Sequence, residues 1–258
     1  MRIVVMMLGL ACARVALADV SYEGEARDVA GGKLLYEEHH LLRDAVGDAA
    51  ARRLVLYRCP SGQLFARKLV EYGTTPAAPA FTLDDGRFGY REGVRREGDA
   101  LQAFVREASS ATERSAPVAS APNLVIDAGF DEFVRANWEA LVAGETKAVE
   151  FVVPSRLGAL GFKLRRIDQV QIDGESASRF RLSLGGMIGW FAPDIDVSYR
   201  DSDRRLMRFE GLTNIRADRE DNLVARIDFP PSRARDGVDA AAWDAGLAEV
   251  LTDCTPGG

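Results

Sequence analysis

The sequence predicts an α+β fold dominated by β-structure: a curled antiparallel sheet, or half-open barrel, packed on one central helix, with a short C-terminal helix. Apolar and polar residues alternate along most of the chain, as in strands that bury one face. The connections between these segments are short, which favours antiparallel pairing, because parallel strands need long crossovers. One segment with helical periodicity interrupts the strands and needs a sheet to cover its apolar side.

The chain begins with a segment typical of a secretory signal peptide. Met1-Arg2 precedes an apolar run from Ile3 to Ala13, and Ala16-Leu17-Ala18 follows. A basic start, a short apolar run and small residues at a cleavage site are the features of such a peptide. We therefore predict cleavage after residues 1–18 and export, most simply to the periplasm. The alternative is a lipoprotein signal, in which an acylated Cys12 tethers the protein to a membrane.

Composition restricts the class of protein. The chain has 258 residues, and those that follow the first 18 are enough for one domain with a sizeable core. We predict a β-rich domain over 19–232 and a C-terminal helix and tail over 233–258. Removing Arg2 and Arg14 changes the net charge from −6 to −8. An acidic chain argues against a nucleic-acid partner, which requires excess Lys and Arg. The N-terminal apolar run is too short to span a bilayer, and no transmembrane segment is expected after cleavage.

Strands and turns of the first half follow in order. Arg53 to Tyr57 and Gln63 to Val70 flank Cys59-Pro60-Ser61-Gly62, and Pro-Ser-Gly is typical of a hairpin turn. A second turn lies at Asp84-Asp85-Gly86. Residues 109–122 are rich in Ser, Ala and Pro and have no apolar period, so we expect an exposed loop there.

The central helix is predicted over residues 130–143, with Gly144 ending it in a left-handed conformation. After it, alternation predicts strands around Phe162, Phe180 and Ile227, and a hairpin formed by Ile195 to Tyr199 and Leu206 to Phe209. The apolar stripe of the central helix consists of Phe130, Phe133, Val134, Asn137, Trp138, Leu141 and Val142. A weaker C-terminal helix has Trp243, Leu247, Val250 and Leu251 on one side.

Cys59 and Cys254 are the two cysteines that remain after cleavage. In an oxidising compartment they can form one disulfide, which would join the C-terminal tail to an early turn. The alternative is two unrelated thiols. Neither cysteine belongs to a Cys-x-x-Cys pair, so a thioredoxin-like redox role has no support.

The histidines are the first candidates for catalysis. His39 and His40 are the two histidines of the chain and lie in a predicted strand. Neighbouring strand residues point to opposite faces, so the same-face units are Glu37 with His39 and Glu38 with His40. Such a unit could orient a general base or supply two metal ligands. Two ligands do not specify a metal site, and no metal or cofactor is predicted. The simpler interpretation is a solvated strand face.

Asp127 and Asp131 are the second group of candidates, close to the start of the central helix. Carboxylates there interact favourably with the positive helix end, which is a sufficient structural reason for them. Paired catalytic carboxylates of a hydrolase are the sharper alternative.

A hydrophobic ligand site is predicted on the concave side of the sheet, facing the central helix. The glycines between Leu184 and Phe191 are interpreted as a bulge that lets the sheet curl, because no Lys-Ser or Lys-Thr follows as in a phosphate loop. The alternative is that the same side chains fill a closed core. The candidate lining residues are Phe133, Trp138, Phe162, Phe180, Leu182, Met187, Trp190 and Phe191.

Two blocks, Val125 to Arg135 and Arg208 to Ile215, resemble a group of uncharacterised exported proteins of Gram-negative bacteria. That resemblance implies no assigned activity. A looser likeness is to the half-barrels of periplasmic lipoprotein carriers, which implies a lipid or another hydrophobic ligand. We therefore expect a non-enzymatic exported binding protein. The alternatives are a hydrolase or metal-assisted enzyme using Glu37, His39 and nearby acids, and an envelope assembly factor that binds a protein partner through a sheet edge.

Overall fold

The computed structural model describes residues 20–43, 51–185 and 194–257. Within these ranges the chain forms one large open curled sheet of sixteen strands. The first half contributes β1 (Val20–Asp28), β2 (Leu34–Arg43), β3 (Arg52–Arg58), β4 (Leu64–Glu71), β5 (Ala80–Asp85), β6 (Tyr90–Glu97), β7 (Ala100–Arg106) and β8 (Arg114–Pro117). The second half contributes β9 (Leu124–Val125), β10 (Lys147–Val153), β11 (Gly158–Ile172), β12 (Glu175–Leu184), β13 (Ile195–Arg200), β14 (Leu206–Arg216), β15 (Asn222–Asp228) and β16 (Arg235–Asp236).

Two antiparallel meanders make up the sheet, one from β1 to β8 and one from β10 to β15. They join where β1 pairs with β15, from Glu25 opposite Asp228 to Asp28 opposite Ala225. The short β9 pairs with β10 in parallel, β16 pairs with β1, and β8 and β9 lie at the two ends of the path. The predicted fold class, a β-dominated curled antiparallel sheet with few helices, is confirmed.

In the described ranges, three α-helices pack against this sheet: α1 (Gly129–Ala136), α2 (Trp138–Val142) and α3 (Ala240–Ala248). The helix predicted over 130–143 is divided at Asn137, whose side-chain Nδ2 donates a hydrogen bond of 2.9 Å to the carbonyl oxygen of Phe133. The asparagine side chain thus competes with backbone N–H groups for a carbonyl oxygen of the helix, and asparagine is therefore unfavourable inside helices. Gly144 has the predicted left-handed backbone, with φ of +96°.

The C-terminal helix lies on the outer side of β3. Leu54 and Leu56 of that strand pack against Trp243, while Val55 and Tyr57 point inward, so β3 is buried on both faces. The guanidinium groups of Arg43 and Arg52 lie 4.8 and 5.7 Å from the ring of Trp243. Such contacts are favourable between a cation and an aromatic face.

Two expectations about local structure are corrected. The predicted loop at 109–122 contains β8, because four of its residues pair with β7 at the end of the sheet. The predicted apolar side of the C-terminal helix extends too far, since α3 ends at Ala248 and Val250 beyond it is 78% exposed. None of the helices in the described ranges has the length and apolar character needed to cross a membrane.

The Cys59–Cys254 disulfide is present, and it confirms the predicted pairing. It joins the turn after β3 to the segment after α3, across 195 positions of sequence. Arg58 adds two hydrogen bonds, of 2.7 and 2.6 Å, to the carboxylate of Glu249 in the same region. The C-terminal segment is therefore fastened to the outer face of the first meander.

Candidate functional site

The inner face of the sheet carries an unusual number of charged side chains. Charged groups are rarely buried unless they are paired, because removal from water is costly. Here they occupy inward positions of neighbouring strands and meet others from the segment around α1. The buried members are Glu38, His40, Arg53, Lys68, Asp85, Glu92, Asp131 and Arg216.

Asp131 is the centre of the first contact group. Arg53 of β3 donates two hydrogen bonds to its Oδ2, at 3.0 and 3.1 Å, and the hydroxyl of Tyr199 on β13 donates one of 2.7 Å to Oδ1. Burial favours the neutral acid, but the charges of Arg53 and Arg135 outweigh it and lower the pKa of Asp131. The carboxylate therefore fastens α1 to both halves of the sheet.

Asp127 forms the second contact group, in the loop between β9 and α1. Its Oδ1 accepts hydrogen bonds from Lys68 Nζ at 2.9 Å and from Asn214 Nδ2 at 3.1 Å. Its Oδ2 is buried and has no hydrogen-bond partner within the described part of the chain. The backbone of Asp127 has φ of +43°, a left-handed conformation that is uncommon outside glycine. The local fold therefore holds this side chain inward.

Glu92 lies in the same row of inward side chains, because Lys68 is opposite Leu83 and Leu83 is opposite Glu92. The hydroxyl of Tyr90 donates a 2.7 Å hydrogen bond to Glu92, and the Arg216 guanidinium lies 4.2 Å from the ring of Tyr90. Burial, together with the negative charge of Asp127, raises the pKa of Glu92 to about 7, although Tyr90 and the nearby cations oppose the shift. This carboxyl group therefore titrates near neutral pH.

Glu38 and His40 form a further contact group on the inner face, with 2.8 Å between Glu38 Oε2 and His40 Nε2. The imidazole stacks on Tyr22 at a centroid distance of 4.5 Å and meets Phe229 edge to face. Burial lowers the pKa of His40, while Glu38 opposes that change. The neutral imidazole is thus favoured inside the sheet.

Glu37 and His39 occupy the opposite face of β2. Arg233, in a short 3-10 turn, lies 3.2 Å from Glu37 and 2.6 Å from Glu25, and His39 is 3.7 Å from Glu23. Burial lowers the pKa of His39, and the nearby glutamates oppose this. The sheet therefore separates this outer cluster from the inward side chains.

The five predicted catalytic candidates thus fall into two places. His40, Asp127 and Asp131 lie on the inner side, each with its own partners, whereas Glu37 and His39 lie outside. A site combining Glu37 and His39 with Asp127 or Asp131 is not assembled. Across residues 20–43, 51–185 and 194–257, no three His, Cys, Asp or Glu side chains converge so as to hold a metal ion.

The predicted ligand-binding residues fall in a separate apolar cluster between α1–α2 and strands β9 to β13, which we call the aromatic cluster. Five of the eight predicted residues belong to it: Phe133, Trp138, Phe162, Phe180 and Leu182. Phe180 is fully buried and contacts Trp138 edge to face at 5.4 Å, while Phe133 and Phe162 are half-buried at the rim. Met187, Trp190 and Phe191 lie outside the described residues.

Two surface depressions of the described chain lie elsewhere. One, of about 40 Å³, is on the charged outer face between Arg179 and Glu210, and one, of about 370 Å³, lies between Asp173 and Ser232. Neither is lined by the aromatic cluster. The side chains of the cluster pack against one another, so a ligand there would have to displace some of them.

Comparison with known proteins adds a fold likeness. A crystal structure from Brucella abortus, described as a beta-barrel-like protein of the domain of unknown function DUF1849, is similar with a TM-score of 0.54. The match covers 87% of this chain and 100% of that chain at 9% identity, so it concerns the fold alone. It agrees with the coarser form of the expected resemblance, to uncharacterised bacterial proteins. No protein-family model matches the chain, and no curated protein does.

Sequence reasoning did not identify Arg53, Lys68, Glu92 or Asn214. A signal for two of them was present: Lys68 stands between Ala66 and Val70 at alternate positions, and Glu92 similarly follows Tyr90 and precedes Val94. A charge inside a run of same-face apolar residues is a candidate for burial, because alternate strand residues share one side.

Proposed function

We propose that this protein is exported and binds a hydrophobic small molecule, such as a lipid, in the aromatic cluster beneath α1 and α2. The observation that carries the proposal is the arrangement of that cluster. Its floor is fully buried at Phe180, its rim is half-exposed at Phe133 and Phe162, and its helical cover is interrupted at Asn137. Binding sites for such molecules are mostly apolar, with few polar groups.

The cover can be displaced because its contacts with β9 to β13 are largely apolar. Apolar contacts are not directional, so the chain of a ligand can replace the side chains that it displaces. Asp131, close to the start of α1, is the buried polar attachment of this cover, and Arg135 and Glu139 farther along it contact Arg204. Movement about Asp131 would lift Phe133 and Trp138 from the cluster and would break the contacts of Arg204.

Export is supported by the N-terminal segment and by the disulfide. Disulfides persist in oxidising compartments and are rare where thiols are kept reduced. The Cys59–Cys254 bond therefore agrees with a protein that acts outside the cytoplasm. We propose cleavage before Asp19 and a periplasmic location, with acylated Cys12 as the alternative.

The test is mass spectrometry of protein exported to the periplasm and purified without strong detergent. Native and denaturing spectra should show a chain starting at Asp19 that loses a lipid-sized adduct on denaturation. A fluorescent apolar probe, N-phenyl-1-naphthylamine, should bind the delipidated protein. The variant F133A/F162A should weaken probe binding at least about tenfold, because two ring contacts are lost.

A matched control is L212A/V224A, which removes two exposed apolar side chains that pair across β14 and β15. It should leave probe binding unchanged. Absence of both adduct and probe binding in the wild type, or equal loss in both variants, would refute the proposal. Copurification of one stoichiometric envelope protein without a small molecule would replace it with the assembly-factor alternative.

A further inference from the structure

The buried ion pair between Lys68 and Asp127 differs from the other pairs of this protein in its chemistry. Four of the 33 basic residues are lysine, and Lys68 is the buried one within the described ranges. Arginine forms the neighbouring buried pair, at Arg53, and suits such pairs because its planar fork stays charged. A lysine ammonium can instead lose its proton in a desolvated site and become a nucleophile.

We propose that Lys68 and Asp127 condense to form an isopeptide bond, which joins β4 covalently to the loop between β9 and α1. This cross-link is a self-modification of the chain and does not depend on the ligand-binding proposal. Its reactants are the Lys68 amine and the Asp127 carboxyl carbon, and its product is a secondary amide and one water molecule.

The positions of the reacting atoms carry the proposal. Lys68 Nζ is 2.9 Å from Asp127 Oδ1, and both side chains are 11% exposed. A carboxyl C–O bond adds only about 1.2 Å, so Nζ lies within about 4 Å of the carbon that it must attack. Positioning two reactants in this way removes most of the entropic barrier to their reaction. The left-handed backbone of Asp127 and the strand position of Lys68 maintain the approach.

The two carboxyl oxygens of Asp127 have different surroundings, and the difference fits the two roles that the reaction requires. Oδ1 accepts a hydrogen bond from Asn214 Nδ2, which can stabilise negative charge on that oxygen during attack. Oδ2 is buried, and no hydrogen-bond donor of the described residues contacts it. Oδ1 therefore remains as the amide oxygen, and Oδ2 departs as water.

The steps balance without any further reactant. Transfer of one proton from the ammonium to the carboxylate gives a neutral amine and a neutral acid. The Nζ lone pair then forms a bond to Cγ, and the π electrons of the carbonyl move to Oδ1. A proton then moves from nitrogen to Oδ2, the carbonyl re-forms at Oδ1, and the Cγ–Oδ2 bond breaks so that water leaves. No oxidation or reduction occurs.

A solvated pair within the same protein provides the comparison. Lys147 Nζ is 2.8 Å from the carboxylate of Glu145, so the two atoms are equally close, but that carboxylate is 61% exposed. Water solvates both charged groups there, so no condensation is expected. Burial and the hydrogen bond from Asn214 distinguish Lys68 and Asp127 from this pair.

The experiment is denaturing mass spectrometry of the full chain after export, with its N-terminus identified by peptide mapping and the disulfide reduced. The wild type should be lighter than its sequence by one water, about 18 Da. Trypsin should fail to cleave at Lys68, and the digest should contain peptide 68–87 joined to peptide 115–135. K68R should show the full sequence mass, and K147R should retain the loss of water.

A wild-type chain at its full sequence mass would overturn the proposal without reference to any variant, because Lys68 and Asp127 would then be an ion pair only. A deficit that persists in K68R would overturn the assignment to these residues. If K68R does not fold, the joined peptide in the wild-type digest still decides the matter.

Discussion

The buried contact between Arg53 and Asp131 gives the sharpest test of how the interior is stabilised. Both residues are about one-twentieth exposed, and Asp131 accepts two hydrogen bonds from Arg53 and one from Tyr199. D131A leaves the guanidinium buried without its counter-charge. We expect a loss of about 3–5 kcal/mol in the free energy of unfolding, which is a large part of the usual stability of a domain.

The double variant R53M/D131L should be much less damaged than D131A. Removing both charges removes the desolvation cost along with the attraction, and such replacements are often neutral or stabilising. We expect stability within about 2 kcal/mol of the wild type, with about 1 kcal/mol of that deficit from the Tyr199 hydroxyl left without an acceptor.

The assay is urea unfolding under oxidising conditions, followed by tryptophan fluorescence and circular dichroism, with the slope of the transition compared among variants. D168A is the control, because its carboxylate forms an exposed pair with Arg179 that should contribute less than about 1 kcal/mol. A D131A variant within about 1 kcal/mol of the wild type, or a double variant R53M/D131L no more stable than D131A, would refute the reasoning.

Three further predictions follow from other contacts. Replacing Cys59 and Cys254 by serine should cost up to about 5 kcal/mol, because the bond closes a loop of 195 positions, and an unchanged denaturation midpoint would contradict this. The pKa of Glu92 is about 7 in the folded protein and 4.5 in the unfolded chain. The free energy of unfolding of the wild type should therefore fall by about 3 kcal/mol as the pH rises from about 4.5 to about 7. E92Q should lack this fall in urea titrations from pH 5 to 8. Parallel curves of unfolding free energy against pH for the two proteins would refute the prediction. H40A should cost about 1–3 kcal/mol in the same titrations, because Glu38 then lacks its partner. H39A, at a half-exposed side chain, should cost less than about 1 kcal/mol. Equal losses in the two variants would contradict the assignment of His40 to the inner and His39 to the outer face of β2.

Much of the fold followed from periodicity. Alternation in β12 and β15 predicted one buried face for each strand, and short connections predicted antiparallel neighbours, because both features depend on local sequence. In β3, which alternation also indicated, both faces are buried. The disulfide could be proposed by counting cysteines. The pairing of β1 with β15 could not be predicted, because contacts between the two ends of a chain leave no local pattern.

The inward charges are harder to predict for a different physical reason. Alternation separates the two faces of a strand but does not say which face a curled sheet encloses. His39 and His40 illustrate this, since neighbouring positions of one strand place one imidazole outside and the other in the interior. The partners of Asp127 come from β4 and β14, which are far apart in sequence, so no spacing rule could join them.

The two halves of the interior are stabilised by different kinds of contact, and this bears on where a ligand could enter. The first meander is tied by directional hydrogen bonds at Glu38, Lys68 and Glu92, and its outer face is covered by α3 and the disulfide. Opening it would leave buried polar groups without partners, at about 1–3 kcal/mol each. The aromatic cluster of the second half has mainly apolar contacts, which an apolar ligand restores as it enters. If Asp131 stays paired, opening beneath α1 and α2 breaks the Arg204 contacts with Arg135 and Glu139 as its polar cost, and we expect ligand-dependent protection from hydrogen exchange to appear there first.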